Sequence, residues 1–435
     1  MKYSIITFGC RVNQADSLRL EEDLRARGAI ESSAEHADLV IVNTCSVTAT
    51  ADQGARQTIR RIARMNPSAQ IVATGCYATR RPDEVASLPA VARVVSNDRK
   101  LDIVKLWHST LGTTADRGDG DGPCGAPIEP GVAGRTAFTL RVQTGCEERC
   151  AYCIIPSTRG ASRSTPVSQI VREVNRIAQA GFKEIALTGV HLGSYGRDLT
   201  PPSSLWHLLW RLDSISADVC FRVSSLEPMD CTREIVDLVS RSQRFLPHFH
   251  LPLQHASDRL LHAMRRPYRL DEYRRLVDLI HARLPHASIG SDMIVGFPGE
   301  TDADFAANVE YLPTSPLSHL HVFPYSDRPG TEASAMPDKV NGAVVRERGA
   351  ALRQIGAVLM RRFRASQIGT VRPGLTLEDG TLVVTDNYLK VRIPAGLPRN
   401  QRVTVKIESE SDALLATPTS DSPALVPGTS GGPTP

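Results

Sequence analysis

With 435 residues, 41% of them apolar and 23% charged, the chain is long enough for two or three cores and has the composition of an ordinary globular protein. Its formal charge of +4 is too small to identify a nucleic-acid binder by itself. No run approaches the roughly 18 apolar residues of a membrane span. The stretch from Met1 to Cys10 lacks the apolar region and cleavage site of a signal peptide, so a cytoplasmic protein without membrane association is expected.

The first hundred residues alternate short apolar runs with amphipathic stretches. Ser4–Phe8, Asp38–Val42 and Gln70–Ala73 read as buried parallel strands, because their apolar character is unbroken. Asn13–Arg27 and Ala51–Met65 read as helices, with Asn13 and Asp52 as candidate N-caps. From residue 108 to 135 the pattern fails in a Gly-, Asp- and Pro-rich linker.

Periodicity returns with candidate strands at 137–142, 184–188, 219–223, 247–251, 289–295 and 319–323, most of them followed by a helical pattern. Right-handed crossovers curl about six such βα units into a full or partial barrel. A long arginine-rich helix ends near Gln367, and a period-two pattern then predicts a small antiparallel barrel. The expected fold class is α/β. It comprises an N-terminal open parallel sheet (1–107), the linker (108–135), a partial (βα)6 barrel (136–364), a small antiparallel β-barrel (365–410) and a disordered tail (411–435).

The seven arginines from Arg346 to Arg372 face a single acid, Glu347, and Arg56, Arg60, Arg61 and Arg64 share one predicted helix. Such runs suit either phosphate contact or a solvated helix face. The nine cysteines are an odd number in a large chain, which points to metal or catalysis and away from a disulfide framework. Cys146, Cys150 and Cys153 lie in one loop after the first barrel strand with spacing C-x3-C-x2-C. Three thiolates in such a loop suit a [4Fe–4S] cube with one open iron, and a structural zinc would want a fourth ligand that the loop lacks. Cys10, Cys45 and Cys76 each follow a predicted parallel strand, so they can converge at one sheet edge although 35 and 31 residues separate them. Cys124, Cys220 and Cys231 read as incidental.

The C-x3-C-x2-C loop, with Tyr152 before its last cysteine, resembles the signature of the radical S-adenosylmethionine (SAM) enzymes. The stretches Gly9-Cys-Arg-Val-Asn-Gln-Ala-Asp16, Asn43-Thr-Cys-Ser-Val-Thr48 and Thr74-Gly-Cys-Tyr-Ala78 resemble the methylthiotransferase members of that group. Asp16 stands where that family is expected to carry Glu, a departure read as lying away from the ligands.

The resemblance implies two [4Fe–4S] clusters, one on Cys146, Cys150 and Cys153 and a second on Cys10, Cys45 and Cys76. It implies SAM in two roles, as methyl donor to a cluster-bound sulfur and as source of a 5′-deoxyadenosyl radical. It also makes the C-terminal barrel an RNA-binding TRAM domain, beside the Arg361-Arg362-Phe363-Arg364 group. Tyr152, Gly189, Ser225, Glu227 and Gln254 are the positions assigned to SAM. For Arg159, contact with substrate or cluster and a structural ion pair both stay open.

The phrases Leu187-Thr-Gly-Val-His-Leu-Gly-Ser-Tyr-Gly196, Arg222-Val-Ser-Ser-Leu-Glu-Pro228 and Phe323-Pro-Tyr-Ser-Asp-Arg-Pro-Gly-Thr331 resemble the branch acting on threonylcarbamoyladenosine in tRNA. The alternatives are isopentenyladenosine in tRNA, an aspartate of a ribosomal protein, and a non-catalytic iron–sulfur or RNA-binding protein. The implied partners are the anticodon stem-loop of tRNA and a reductant such as flavodoxin or ferredoxin. The implied oligomeric state is a monomer.

Overall fold

The structure is a computed structural model that describes residues 1–106, 130, 136–410 and 414–419. The linker reading, apart from residue 130, and Cys124 lie outside the described residues. The chain divides into two compact units. One contains the N-terminal sheet together with Thr144–Ser162 and Ser326–Ser334, and the other contains the remaining barrel strands and the C-terminal barrel. Sequence continuity grouped residues 136–364 together, but the compact packing of Thr144–Ser162 is with the N-terminal sheet.

In the first unit five parallel strands, β1 (Lys2–Thr7), β2 (Ile30–Glu31), β3 (Leu39–Thr44), β4 (Gln70–Gly75) and β5 (Val91–Val94), run in the order β2-β1-β3-β4-β5. Helix α1 (Arg11–Ala26) covers one face and α2 (Ala49–Met65) the other. Every residue of β3 is buried, and the two faces separate by alternation. Leu39 and Ile41 pack with Leu20 and Leu24 of α1, whereas Val40 and Val42 pack with Ala55, Ile59 and Ile62 of α2. That double covering is why the strands read as unbroken apolar runs.

The expected caps differ from those found. Thr48 caps α2 by accepting from the Ala51 amide at 3.2 Å, and Asp52 lies in the first turn instead. Asn13 is fully buried within α1, where its side-chain amide donates to the carbonyls of Phe8 and Thr44, both at 2.9 Å. It ties the ends of β1 and β3 together.

In the second unit the strands are β6 (Phe138–Arg141), β7 (Glu184–Thr188), β8 (Cys220–Val223), β9 (His248–His250), β10 (Ser288–Val295) and β11 (His319–Pro324). They form two three-stranded parallel sheets, β6-β7-β8 and β9-β10-β11. A parallel bridge between Phe221 and Phe245 joins them edge to edge, giving the sequential order of a six-stranded partial barrel. The helix α3 (Gly342–Gln367) follows.

The small barrel is closed, with β12 (Val371–Leu377), β13 (Leu382–Thr385), β14 (Lys390–Arg392), β16 (Leu414–Pro418) and β15 (Arg402–Glu410) as successive neighbours. Its core joins Phe363 of α3 to Val383, Val391, Val405 and Ile407. The tail reading therefore needs correction, since Leu414–Pro418 is the closing strand. Leu414 and Ala416 point inward in alternation, a signal too short to stand out beside the Pro-, Ser- and Thr-rich residues after it.

Candidate functional site

The strand order β2-β1-β3-β4-β5 is that of the flavodoxin-like doubly wound fold, whose ligands bind where the order reverses, beyond the C-terminal ends of β1 and β3. The N-terminal cysteines occupy that edge. Cys10 precedes α1, Cys45 follows β3, and Cys76 opens the short helix after β4. Cys10 is exposed, while Cys45 and Cys76 are buried. The turn after β1 needs Gly9, at φ +87°, because a Cβ there would fall 2.4 Å from the Cys45 Sγ. Burial pushes the Cys45 thiol up to about 11, and the neighbouring Cys10 and Cys76 sulfurs add to the shift. A compensating cation or metal is what would hold Cys45 as a thiolate there.

The surroundings supply positive charge. Asp16, one helical turn and a half from Cys10, is buried and paired with Lys100 Nζ at 2.9 Å and Arg159 Nη2 at 3.3 Å. Arg159 also donates to Asn13 Oδ1 at 2.5 Å and to the Cys76 sulfur. Burial opposes its charge, but Asp16, Cys76 and Cys10 raise its pKa. For Lys100 burial prevails, and its pKa is lowered despite Asp16. On the other flank Asp52 is shared by Arg80 at 2.5 Å and Arg328 at 2.8 Å, and Arg80 also donates to Ser46, next to Cys45. Each carboxylate thus faces two cations. The Nε and Nη2 atoms of Arg328 are buried without a partner. Buried excess positive charge with orphaned donors requires an anion, and a cluster on three thiolates is one.

Asp16 is therefore part of the site and not remote from it. Arg159, left open by the sequence, is both an ion-pair member and a thiol donor. Lys100 gave no local sequence signal, because a lone basic residue reads as surface, and Arg328 stood out only as part of the stretch Phe323–Thr331, without a role.

The loop Thr144–Ser162 carries the second trio. Its neck is closed by the Cys146 amide donating to Gly160 O at 3.0 Å, and a turn brings the Cys153 amide to Cys150 O at 3.0 Å. Cys146, Cys150 and Cys153 are half-buried, as is Tyr152. The Ala333 amide donates to Ala151 O at 2.8 Å, and Asn97 donates to Thr158 O at 2.9 Å, which fixes the loop within its unit. Among the described residues neither cysteine trio brings its ligand atoms within 4.8 Å of one another. A single tetrahedral zinc needs sulfurs about 3.8 Å apart, so neither donor set is spaced for one ion, while three thiolates remain, in each, the donor type that iron–sulfur clusters take.

Of the positions assigned to SAM, Tyr152 lies with the cysteine loop in the first unit, and Gly189, Ser225, Glu227 and Gln254 lie in the second, after the C-terminal ends of β7, β8 and β9. Gly189 lies against Leu192 and Gln143, and Ser225 is exposed. Glu227 is ion-paired with Arg266, which also donates to Tyr268. Gln254 holds φ +69°, its amide bonding Asp292 O and its carbonyl the Ile294 amide, both at 2.8 Å. The sequence reading missed Gln143, whose buried Oε1 accepts from the Val190 and His191 amides at 2.9 Å and so shapes the loop after Gly189.

The arginine-rich stretch is partly consumed internally. Arg348 pairs with Glu300 and Asp302, and Arg372 grips Asp386 through two bonds of 2.9 and 2.7 Å. Arg362 donates to the carbonyls of Pro313, Ser315 and Leu317. Arg346, Arg353 and Arg361 remain exposed on α3, as do Lys390, Arg392 and Lys406 on the small barrel. Among the described residues no helix is long and apolar enough to cross a membrane.

Comparison with known proteins identifies the family. Residues 2–96 match the family model described as uncharacterized protein family UPF0004, and residues 140–312 match the radical SAM superfamily. The chain is 36% identical over 403 residues to the threonylcarbamoyladenosine tRNA methylthiotransferase MtaB of Aquifex aeolicus, covering 90% of this chain and 96% of that protein. It is 34% identical to the MtaB of Bacillus subtilis, covering 88% of each. A radical SAM methyltransferase from Kitasatospora setae, TsrM, solved with cobalamin and a [4Fe-4S] cluster, superposes with a TM-score of 0.55 at 15% identity, over 77% of this chain and 76% of that one. That last likeness concerns the fold. Full-length similarity above 30%, with both family models in their expected places, means that the chain belongs to the radical SAM methylthiotransferase family.

Proposed function

We propose that this chain is a tRNA methylthiotransferase that uses SAM to insert a methylthio group at C2 of N6-threonylcarbamoyladenosine beside the anticodon. The observation that carries the reading is the convergence of Cys10, Cys45 and Cys76 at the sheet's switch point amid excess buried positive charge, in a chain that also holds the C-x3-C-x2-C loop. Similarity to the two MtaB proteins supports the choice of nucleoside.

A cluster on Cys146, Cys150 and Cys153 supplies, when bound, the electron that cleaves SAM, and one on Cys10, Cys45 and Cys76 supplies the sulfur that is methylated and transferred. This chain's own residues position and insulate. Arg159, Lys100, Arg80 and Arg328 balance the negative charge of the thiolates at the first trio. Gln143 and Gln254 set the backbone of the loops after β7 and β9, where Gly189, Ser225 and Glu227 are assigned to SAM. Tyr152 is assigned to SAM from the cysteine loop. The exposed basic residues of α3 and of the small barrel suit contact with tRNA phosphates, which orients the anticodon stem-loop without reading its bases. A low-potential flavodoxin or ferredoxin supplies electrons, and the protein works in the cytoplasm as a monomer.

Mass spectrometry of tRNA nucleosides, from a host stripped of its own methylthiotransferases, tests the proposal with and without this gene. Appearance of 2-methylthio-threonylcarbamoyladenosine is expected. An isopentenyl product would keep the reaction and replace the substrate. Unchanged tRNA with fully iron-loaded protein would move the substrate to a ribosomal protein.

A further inference from the structure

The histidines of β9 and β11 are used by neither cysteine trio nor by the SAM assignments. Strands β9, β10 and β11 pair in parallel, with His250 opposite Gly290 and Asp292 opposite His321. Leu320 faces α3, where a Cβ on Gly356 would meet it at 3.3 Å. By alternation His319 and His321, with their cross-strand partners Gly290 and Asp292, occupy the opposite face, and His250 lies beside them. Gly290 makes the assembly possible, since a Cβ there would fall 2.1 Å from His319 Nε2 and 3.0 Å from His250 Nδ1.

On that face His250 Nε2 lies 2.9 Å from Asp292 Oδ1, and His321 Nδ1 lies 3.2 Å from the same oxygen. All three ligand atoms fall within 4.8 Å of one another, the sole such trio of His, Cys, Asp or Glu among the described residues. Ligands at about 2.0–2.1 Å from a tetrahedral ion stand about 3.3 Å apart, which the two separations to Asp292 approach to within a few tenths of an ångström. The side chains of His250, Asp292 and His321 are 9%, 23% and 54% exposed. The site is closed on one side and open on the other, as in metal centres that keep a coordination position for water or a ligand.

We propose that His250, Asp292 and His321 form a binding site for a divalent transition-metal ion, with donors distinct from both cysteine trios. Two imidazoles and one carboxylate are a borderline donor set suited to zinc and its neighbours, and not to magnesium or calcium.

The test is zinc retention by the full-length protein with its clusters reconstituted, after addition of one equivalent of Zn2+ and desalting, read by elemental analysis and by zinc K-edge X-ray absorption. One zinc per chain is expected, with a nitrogen/oxygen shell at about 2.0 Å. His321→Ala and the near-isosteric Asp292→Asn should each weaken retention more than about tenfold, since even outer-shell partners are worth 10–100-fold in affinity. The exposure of His321 keeps the first variant folded, and circular dichroism verifies both. No retained zinc, a sulfur shell at about 2.3 Å from ion trapped by cysteines, or retention unchanged in both variants would overturn the site.

Discussion

The two cysteine trios are built by opposite means. Cys146, Cys150 and Cys153 lie within one loop whose neck is a single backbone bond, so local chain geometry holds them together. Cys10, Cys45 and Cys76 come from three turns, and only the parallel order β1-β3-β4 gathers them. The surroundings differ accordingly. The loop thiols are half-buried, whereas the N-terminal thiols sit among paired buried charges, Asp16 with Lys100 and Arg159, and Asp52 with Arg80 and Arg328. A site gathered by topology is electrostatically balanced by residues equally distant in sequence, even though Cys10 itself is exposed.

The largest effect should separate the trios by chemistry. Cys150→Ala should reduce 5′-deoxyadenosine formation from SAM to background and with it all thiolation, measured by liquid chromatography and mass spectrometry. Cys10→Ala should instead keep SAM cleavage, lose methylthiolation, and lower the iron content from about eight to about four per chain. Equal loss of SAM cleavage in the two variants would erase the proposed division of labour.

A third change tests the charge argument. Asp16→Asn strands Lys100 and Arg159 in a buried setting and should cost about 3 kcal/mol in the cluster-free protein, by denaturant unfolding. The loss should shrink when clusters are reconstituted, because anionic thiolates then face the same two cations. A loss of the same size in both states would mean that the pair does not face the cluster.

The smallest effects lie on α3. Arg362→Ala should lower stability by about 1–2 kcal/mol, since it strips donors from three carbonyls. Arg361→Gln should leave stability within about 0.5 kcal/mol. It should weaken tRNA binding in a salt-dependent way, the slope of log Kd against log salt falling by about one. If Arg361 left that slope unchanged, phosphate contact would have to move to Lys390, Arg392 or Lys406.

What was legible in the sequence was whatever repeats at short range. The three central strands of the N-terminal sheet, the six barrel strands, the long helix ending at Gln367 and the C-x3-C-x2-C loop follow from spacing, because hydrophobic period and ligand spacing are properties of contiguous residues. The edge strands Ile30–Glu31 and Val91–Val94 were not read. Even the three N-terminal cysteines were legible, since each follows a strand and parallel strands share an edge.

Tertiary structure decided the rest. Asn13 and Asp52 have the chemistry of caps, but burial beside strand ends and arginines gave them other partners. Arg348, Arg362 and Arg372 form part of a basic run in the sequence, yet they are spent on carboxylates and carbonyls brought from elsewhere in the chain. Leu414–Pro418 becomes a strand only because the barrel offers it two neighbours. Lys100 and Arg328 join the cysteine site from 84 and 276 residues away. Sequence fixes what each residue can do over a few neighbours, whereas the pairing of buried charges depends on distances that exist only once the chain has folded.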